Sequence, residues 1–128
     1  MREILLVGAG GALGAISRYG VGRAMIRFVG ESFPYGTLAV NCVGSLLIGL
    51  LMQVLLGNEL LPSSLRLNMI VGFLGAFTTF SAFSYETVNY FRNGSWQLGA
   101  ANIAANVGLS ICFVFLGMAI ARYVFKMA

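Results

Sequence analysis

The spacing of the charged residues constrains this chain more than any other feature. Stretches without a charge cover 4–17, 32–58, 67–85 and 93–121. A helix needs about 20 apolar residues, at about 1.5 Å rise each, to cross about 30 Å of hydrocarbon. The last three stretches reach or nearly reach that length unaided. The first reaches it if Arg18 sits inside the span or at a water-filled edge. Four transmembrane helices are therefore expected, over about 4–26, 36–56, 67–91 and 97–123, in one all-α membrane domain covering 1–128. Composition agrees: 9% of the 128 residues are charged and 59% are hydrophobic, whereas soluble domains carry about a quarter charged residues. Disorder needs the opposite balance. A transmembrane barrel would show alternating segments of about ten residues, and the sequence has none. The start, Met1-Arg2-Glu3 before an apolar run, imitates a cleavable leader. The remainder is equally apolar, so this run is read as the first span.

Several chemistries are excluded. The net charge of +4 invites nucleic acid, but the cations flank apolar spans and form no patch with interleaved aromatics, so no nucleic-acid partner is expected. There is no histidine, carboxylate pair or CxxC. This removes zinc and di-iron sites and histidine-based catalysis, and no enzyme activity is expected. Cys42 and Cys112 lie in apolar runs and read as small hydrophobes. The segment Gly8-Ala9-Gly10-Gly11-Ala12-Leu13-Gly14 imitates a dinucleotide-binding loop. That loop requires a βαβ unit, and a membrane span leaves no room for one.

With four spans, both termini and the second loop share one side of the membrane. That side carries Arg2, Arg66, Arg122 and Lys126; the other carries Arg23 and Arg27, Arg92 and, if it snorkels that way, Arg18. Orientation is normally set by a Lys/Arg imbalance, and here the two sides nearly balance. Insertion both ways, and hence an antiparallel homodimer, becomes possible. Gly10/Gly14, Ser45/Gly49 and the set Ala101, Ala105, Gly108 supply small residues for close helix packing.

Polar side chains within membrane spans need a partner or a task. Thr37 and Asn41 share a face of the second span. Asn102, Asn106 and Ser110 recur every four residues on the fourth, as a stripe that drifts about 40° per step. The third carries Thr78-Thr79-Phe80-Ser81-Ala82-Phe83-Ser84 just after Gly72 and Gly75. So many hydroxyls behind two glycines favour a break near the middle of that helix. Such breaks survive only where protein or a polar cavity satisfies the freed backbone groups. Phe80 and Phe83 share a face. They read either as core or lipid contacts, or as ring edges, which are positive and suit an anion. Neutral donors with almost no buried formal charge favour permeation of a small anion.

The runs Gly36-Thr37-Leu38-Ala39-Val40-Asn41-Cys42-Val43-Gly44 and Gly72-Phe73-Leu74-Gly75-Ala76-Phe77-Thr78-Thr79-Phe80-Ser81-Ala82-Phe83-Ser84-Tyr85-Glu86, with Gly10-Gly11 leading to Arg18-Tyr19, resemble the Fluc (CrcB) fluoride channel family over essentially the whole chain. The resemblance implies a passive fluoride-selective channel in the cell (inner) membrane, exporting fluoride and so protecting the cell. It implies an antiparallel dual-topology homodimer with two pores. The fluoride pathway would use Asn41, Thr79, Phe80, Ser81, Phe83, Ser84, Asn106 and Ser110, with Arg18 and Arg23 at the pore mouth. A structural sodium ion at the dimer interface would be held by the backbone carbonyls of Gly75 and Thr78. Glu86 matches an acid near the pathway. The family's fourth-helix track often continues with a hydroxyl where this chain has Val114. The rival reading is a small multidrug-type proton-coupled exporter, which needs an acid within the first span; Glu3, at its extreme end, is the only one there. A purely structural or assembly protein does not explain the polar stripes.

Overall fold

The computed structural model describes residues 1–57 and 62–125 and is all helical there. Lys126, used above in the charge balance, lies outside the described residues. Four helical spans are long and apolar enough to cross a membrane: Arg2–Val29, Tyr35–Leu55, Ser64–Arg92 and Trp96–Phe125. The first, third and fourth run a few residues past the expected bounds, because helix formation does not stop at a charge, while the second lies within one residue of them. Arg23 and Arg27 sit in the last turns of α1 (Arg2–Val29), exposed, where long side chains carry their charge to the interface.

Local chemistry sets the ends. Gly30, at φ 98°, terminates α1, and its N–H reaches the carbonyls of Met25 and Ile26. Pro34 opens α2 (Tyr35–Gly57), its carbonyl accepting from the Leu38 N–H at 3.1 Å. Proline suits a helix start because it lacks only an N–H that would be unpaired there. The third span is built in pieces: α3 (Ser63–Arg66), a π-helical segment (Leu67–Leu74), α4 (Gly75–Phe77) and α5 (Phe80–Arg92). Between α4 and α5 the backbone is extended at Thr78 (φ −82°, ψ 160°) and Thr79 (φ −151°, ψ 119°). A Schellman turn closes α5: Gly94 takes φ 74°, its N–H reaches Phe91, and Ser95 N–H reaches Tyr90. The fourth span joins α6 (Trp96–Ala104), a π-helical turn (Ala105–Leu109) and α7 (Ser110–Phe125). A π turn rotates less per residue than an α turn. This offsets part of the drift of the Asn102–Asn106–Ser110 stripe.

Glycines let the spans touch backbone to backbone. The missing side chains of Gly10 and Gly14 make room for the backbone at Asn68 and Phe73, so α1 lies against the π-helical start of the third span. Gly49 faces the Val114 carbonyl and Gly117 the Leu46 carbonyl, so α2 and α7 lock from both sides. Two expectations change here. Ala101 and Gly108 are exposed, and a side chain at Gly108 would meet nothing within 4 Å. The small residues that pack the fourth span within the chain are instead Gly99, against the Phe91 ring, and Gly117. Leu5, Leu13, Ile16, Phe28 and Phe115 are exposed, as lipid-facing residues must be. Cys42 is buried and Cys112 exposed, both as free thiols.

Candidate functional site

One cleft, the upper, lies at the end of the bundle where α1 passes into α2; a second, the lower, lies along the middle of the second, third and fourth spans, and the two share Thr79. The upper cleft, about 690 Å³, is lined among others by Arg18, Glu31, Thr37, Thr79, Ser81 and Glu86. The lower, about 470 Å³, is lined among others by Asn41, Thr78, Phe80, Phe83, Asn106 and Ser110. Every charged side chain at these clefts belongs to the upper one; among its described lining residues the lower cleft has none.

The junction between them follows from the extended residues. Where Thr79 leaves helical geometry its N–H needs a new acceptor, while its carbonyl, at the N-cap of α5, already takes the first bond of that helix. The Asn41 side chain meets both groups: Asn41 Oδ1 accepts from the Thr79 N–H at 2.9 Å, and Asn41 Nδ2 donates to the carbonyl's second lone pair at 3.1 Å. Asn41 Nδ2 also donates to Asn106 Oδ1 at 2.9 Å. One amide from the second span therefore ties the extended stretch to the fourth. The Thr79 hydroxyl accepts from the Ala82 N–H at 3.2 Å and caps α5.

The same geometry frees two carbonyls. In a continuous helix Gly75 would accept from Thr79 N–H, and Thr78 from Ala82 N–H. Those donors go instead to Asn41 and to the Thr79 hydroxyl.

Most hydroxyl protons are already committed. Thr78 donates to the Leu74 carbonyl, Ser84 to Phe80 and Thr87 to Phe83, the usual back-bonding of hydroxyls in membrane helices. Thr37 donates to Glu86 Oε1 at 2.6 Å. Glu86 Oε2 and Ser110 Oγ are buried without a hydrogen-bond partner. Ser81 Oγ lies 3.3 Å from Thr79 Oγ1, and one hydrogen serves that pair. The hydroxyl donors left for a ligand include those of Ser45 and Ser110 in the lower cleft and the Thr79/Ser81 pair in the upper, which Arg18, Tyr35 and Tyr85 also line.

The expected site residues separate into those at the clefts and those away from them. Asn41, Thr79, Phe80, Ser81, Phe83, Asn106 and Ser110 line one cleft or the other, as do Gly75, Thr78 and Arg18. Arg23 does not: it is five residues on from Arg18, exposed, on another side of α1. Ser84 lines neither cleft, because its hydroxyl turns back onto its own helix. Phe80 and Phe83 meet edge to face, with ring centroids 5.2 Å apart. They are not equivalent: Phe83 is 7% exposed and Phe80 76%. Both Asn41 N–H groups are taken by protein acceptors, so Asn41 offers no idle donor. Val114 lines neither cleft, since its backbone is seated on Gly49. Thr87 was absent from the sequence-based set; it lies one turn beyond Phe83 on the buried face, a spacing that was there to be read.

A family model described as CrcB-like protein, Camphor Resistance (CrcB), matches residues 5–118. A protein of Dehalococcoides mccartyi named fluoride-specific ion channel FluC is 53% identical over 117 residues, covering 91% of this chain and 90% of the relative. A protein of the same name from Rhizobium etli is 48% identical over 122 residues, covering 95% and 98%. Another, from Geotalea daltonii, is 41% identical over 124 residues, covering 97% and 100%. With a match over nearly its full length, and four helices able to span a membrane, the chain belongs to the CrcB family of multi-pass membrane proteins.

Proposed function

We propose that this protein is a passive fluoride-selective channel that carries the ion between the two clefts through the Asn41–Thr79 junction. The observation that carries the reading is the lower cleft, which is lined by neutral polar groups, aromatic rings and apolar side chains and holds a buried hydroxyl, Ser110, whose hydrogen has no oxygen or nitrogen acceptor and at most the weakly accepting Cys42 sulfur beside it. Neutral donors and positive ring edges attract a small anion without fixing it. Arg18 in the upper cleft raises the local anion concentration, partly opposed by Glu31 and Glu86 on the same wall. The name shared by the relatives, fluoride-specific ion channel, points to the same ion. Flow would follow the electrochemical gradient. In the cell (inner) membrane this exports accumulated fluoride and protects the cell.

The working unit is an antiparallel homodimer. Its support is the near balance of cations between the two sides and the open lower cleft, where Phe80 stands exposed beside Gly75 and Thr78. Gly75 and Thr78 also fit the structural sodium ion that the family resemblance implies. Both carbonyls have lost their helical donors, and neutral carbonyl oxygens suit an alkali cation. One chain offers two such oxygens, and a twofold partner would complete four. The multidrug-type exporter lacks its essential group, because the acid of the first span is Glu3, in its first turn.

The test is efflux from proteoliposomes, with valinomycin carrying potassium and with fluoride and chloride electrodes read in parallel. Rapid fluoride release without chloride is expected; well-folded protein that releases neither ion would end this reading. Two substitutions sharpen it. Ser110→Ala should leave the melting temperature unchanged or slightly raised, because it removes a buried hydroxyl that has no partner. It should still lower fluoride flux by about tenfold, the equivalent of about 1.4 kcal/mol of lost ion stabilisation. Phe80→Ile and Phe83→Ile should each slow flux while the dimer elutes normally. Unchanged flux in both would remove ring edges from the pathway.

A further inference from the structure

The hydrogen-bond chain through the junction has a direction, and two residues outside both clefts complete it. A backbone N–H can only donate and a backbone carbonyl can only accept. The chain begins at the Thr79 N–H, which donates to Asn41 Oδ1 at 2.9 Å. Asn41 Nδ2 then donates to Asn106 Oδ1 at 2.9 Å, and Asn106 Nδ2 to Asn102 Oδ1 at 2.9 Å. Asn102 Nδ2 donates to Thr87 Oγ1 at 2.9 Å, and the Thr87 hydroxyl to the Phe83 carbonyl at 2.8 Å. Both ends are backbone atoms of the third span, so each amide between them has one allowed orientation. Flipping any of them sets two N–H groups, or two oxygens, face to face. Asn102 is 0% exposed and Thr87 6%, and neither lines a cleft.

We propose that Asn102 and Thr87 are positioning residues, which fix what the amides of Asn106 and Asn41 present to a passing anion. Asn106 Nδ2 is held by two acceptors on Asn102, its carbonyl at 3.2 Å and its side-chain oxygen at 2.9 Å. Asn106 therefore turns only its oxygen toward the junction, where it occupies one of the two Asn41 N–H groups. The other goes to Thr79. An anion gains an amide donor at the junction only by displacing an acceptor, and the side-chain oxygen of Asn106 yields more readily than a backbone carbonyl. How firmly Asn106 is held is set one step back, by Asn102 and by the Thr87 hydroxyl that orients it. Such head-to-tail networks also strengthen one another.

The proposal rests on the reading of the junction as the ion's path, and a double-mutant cycle separates the two. Thr87→Val keeps the shape and removes the hydroxyl; Asn102→Leu removes the amide; Thr87→Ser restores a hydroxyl. Initial fluoride efflux from proteoliposomes and the melting temperature of the purified protein are measured for each. Thr87→Val and Asn102→Leu each leave a buried amide short of a partner and so lower the melting temperature. The folded protein should still elute as the parent does and conduct about tenfold less, and Thr87→Ser should stay within about twofold in flux. In an Asn106→Ala background, Thr87→Val should change flux by less than about twofold, because its route of action is already gone. Equal losses in both backgrounds, or no loss in either, would overturn the positioning role. So would failure of both Thr87→Val and Asn102→Leu to fold, which would make the network purely structural. Full flux in Asn106→Ala alone would overturn the junction as the path, and this proposal with it.

Discussion

Asn41→Leu should abolish measurable fluoride flux, with a fall of at least about a hundredfold. The substitution strips three hydrogen bonds at once and leaves the Thr79 N–H and Asn106 Oδ1 without partners, while the Thr79 carbonyl keeps only its bond within α5. Each orphaned buried group costs about 1–3 kcal/mol, so the extended stretch at Thr78 and Thr79 must rearrange. A loss of about 3 kcal/mol of stabilisation at the junction corresponds to about a hundredfold in rate. Asn41→Asp is the informative companion. It keeps an acceptor for the Thr79 N–H but removes both N–H donors and places a negative charge in an anion's path, so it should fold better than the leucine variant and conduct no better. Efflux rates and melting temperatures of the two variants, measured together, check this. Fluoride flux near the parent rate in Asn41→Asp would contradict a path through this amide.

The largest loss of stability is expected from Gly49→Leu. A side chain at Gly49 would overlap the Val114 carbonyl and lie 3.0 Å from the Val114 Cα and C atoms. These are backbone atoms, and no rotamer change clears them. Gly117 meets Leu46 and Leu50 across the same contact, so α2 and α7 cannot separate on one side without losing the other. Overpacking of this kind costs about 1–3 kcal/mol in ordinary cores and more where backbone must move. A domain stable by about 5–15 kcal/mol loses a large share of that. Gly49→Leu should therefore aggregate or melt far below the parent. Gly8→Leu is the control: nothing lies within 4 Å of a side chain there, and the melting temperature should hardly move. Similar melting curves for the two variants would show that close α2–α7 contact is not what holds the bundle.

The four spans were legible because the hydrocarbon thickness and the cost of a buried charge act on the sequence directly. The runs free of Asp, Glu, Lys and Arg had to be long enough, and their positions fixed the helices to within a few residues. The polar register on the second and fourth spans was legible for a related reason: an amide at membrane depth needs a partner, so Asn41, Asn102 and Asn106 announced a polar interior. Among the dense hydroxyls of the third span, Thr78 and Thr79 take extended dihedrals.

What the sequence left open was allocation. Hydroxyls alike in the sequence differ in the fold. Ser84 spends its hydrogen on its own helix, while Ser110, in the lower cleft, has no oxygen or nitrogen acceptor for its own. Phe80 and Phe83 share a face by spacing, yet only Phe83 is buried, because the neighbours of a helix face are supplied by other spans. Arg18 reaches the upper cleft and Arg23 does not, since five residues along α1 turn the side chain elsewhere. Asn102 and Thr87 belong to the same polar set as Asn106, but in the fold they stand behind it and line no cleft. Periodicity tells which residues must face inward, because burial energy depends on the residue itself. Which donor meets which acceptor depends on where three separate spans converge around Thr79, and only tertiary packing decides that.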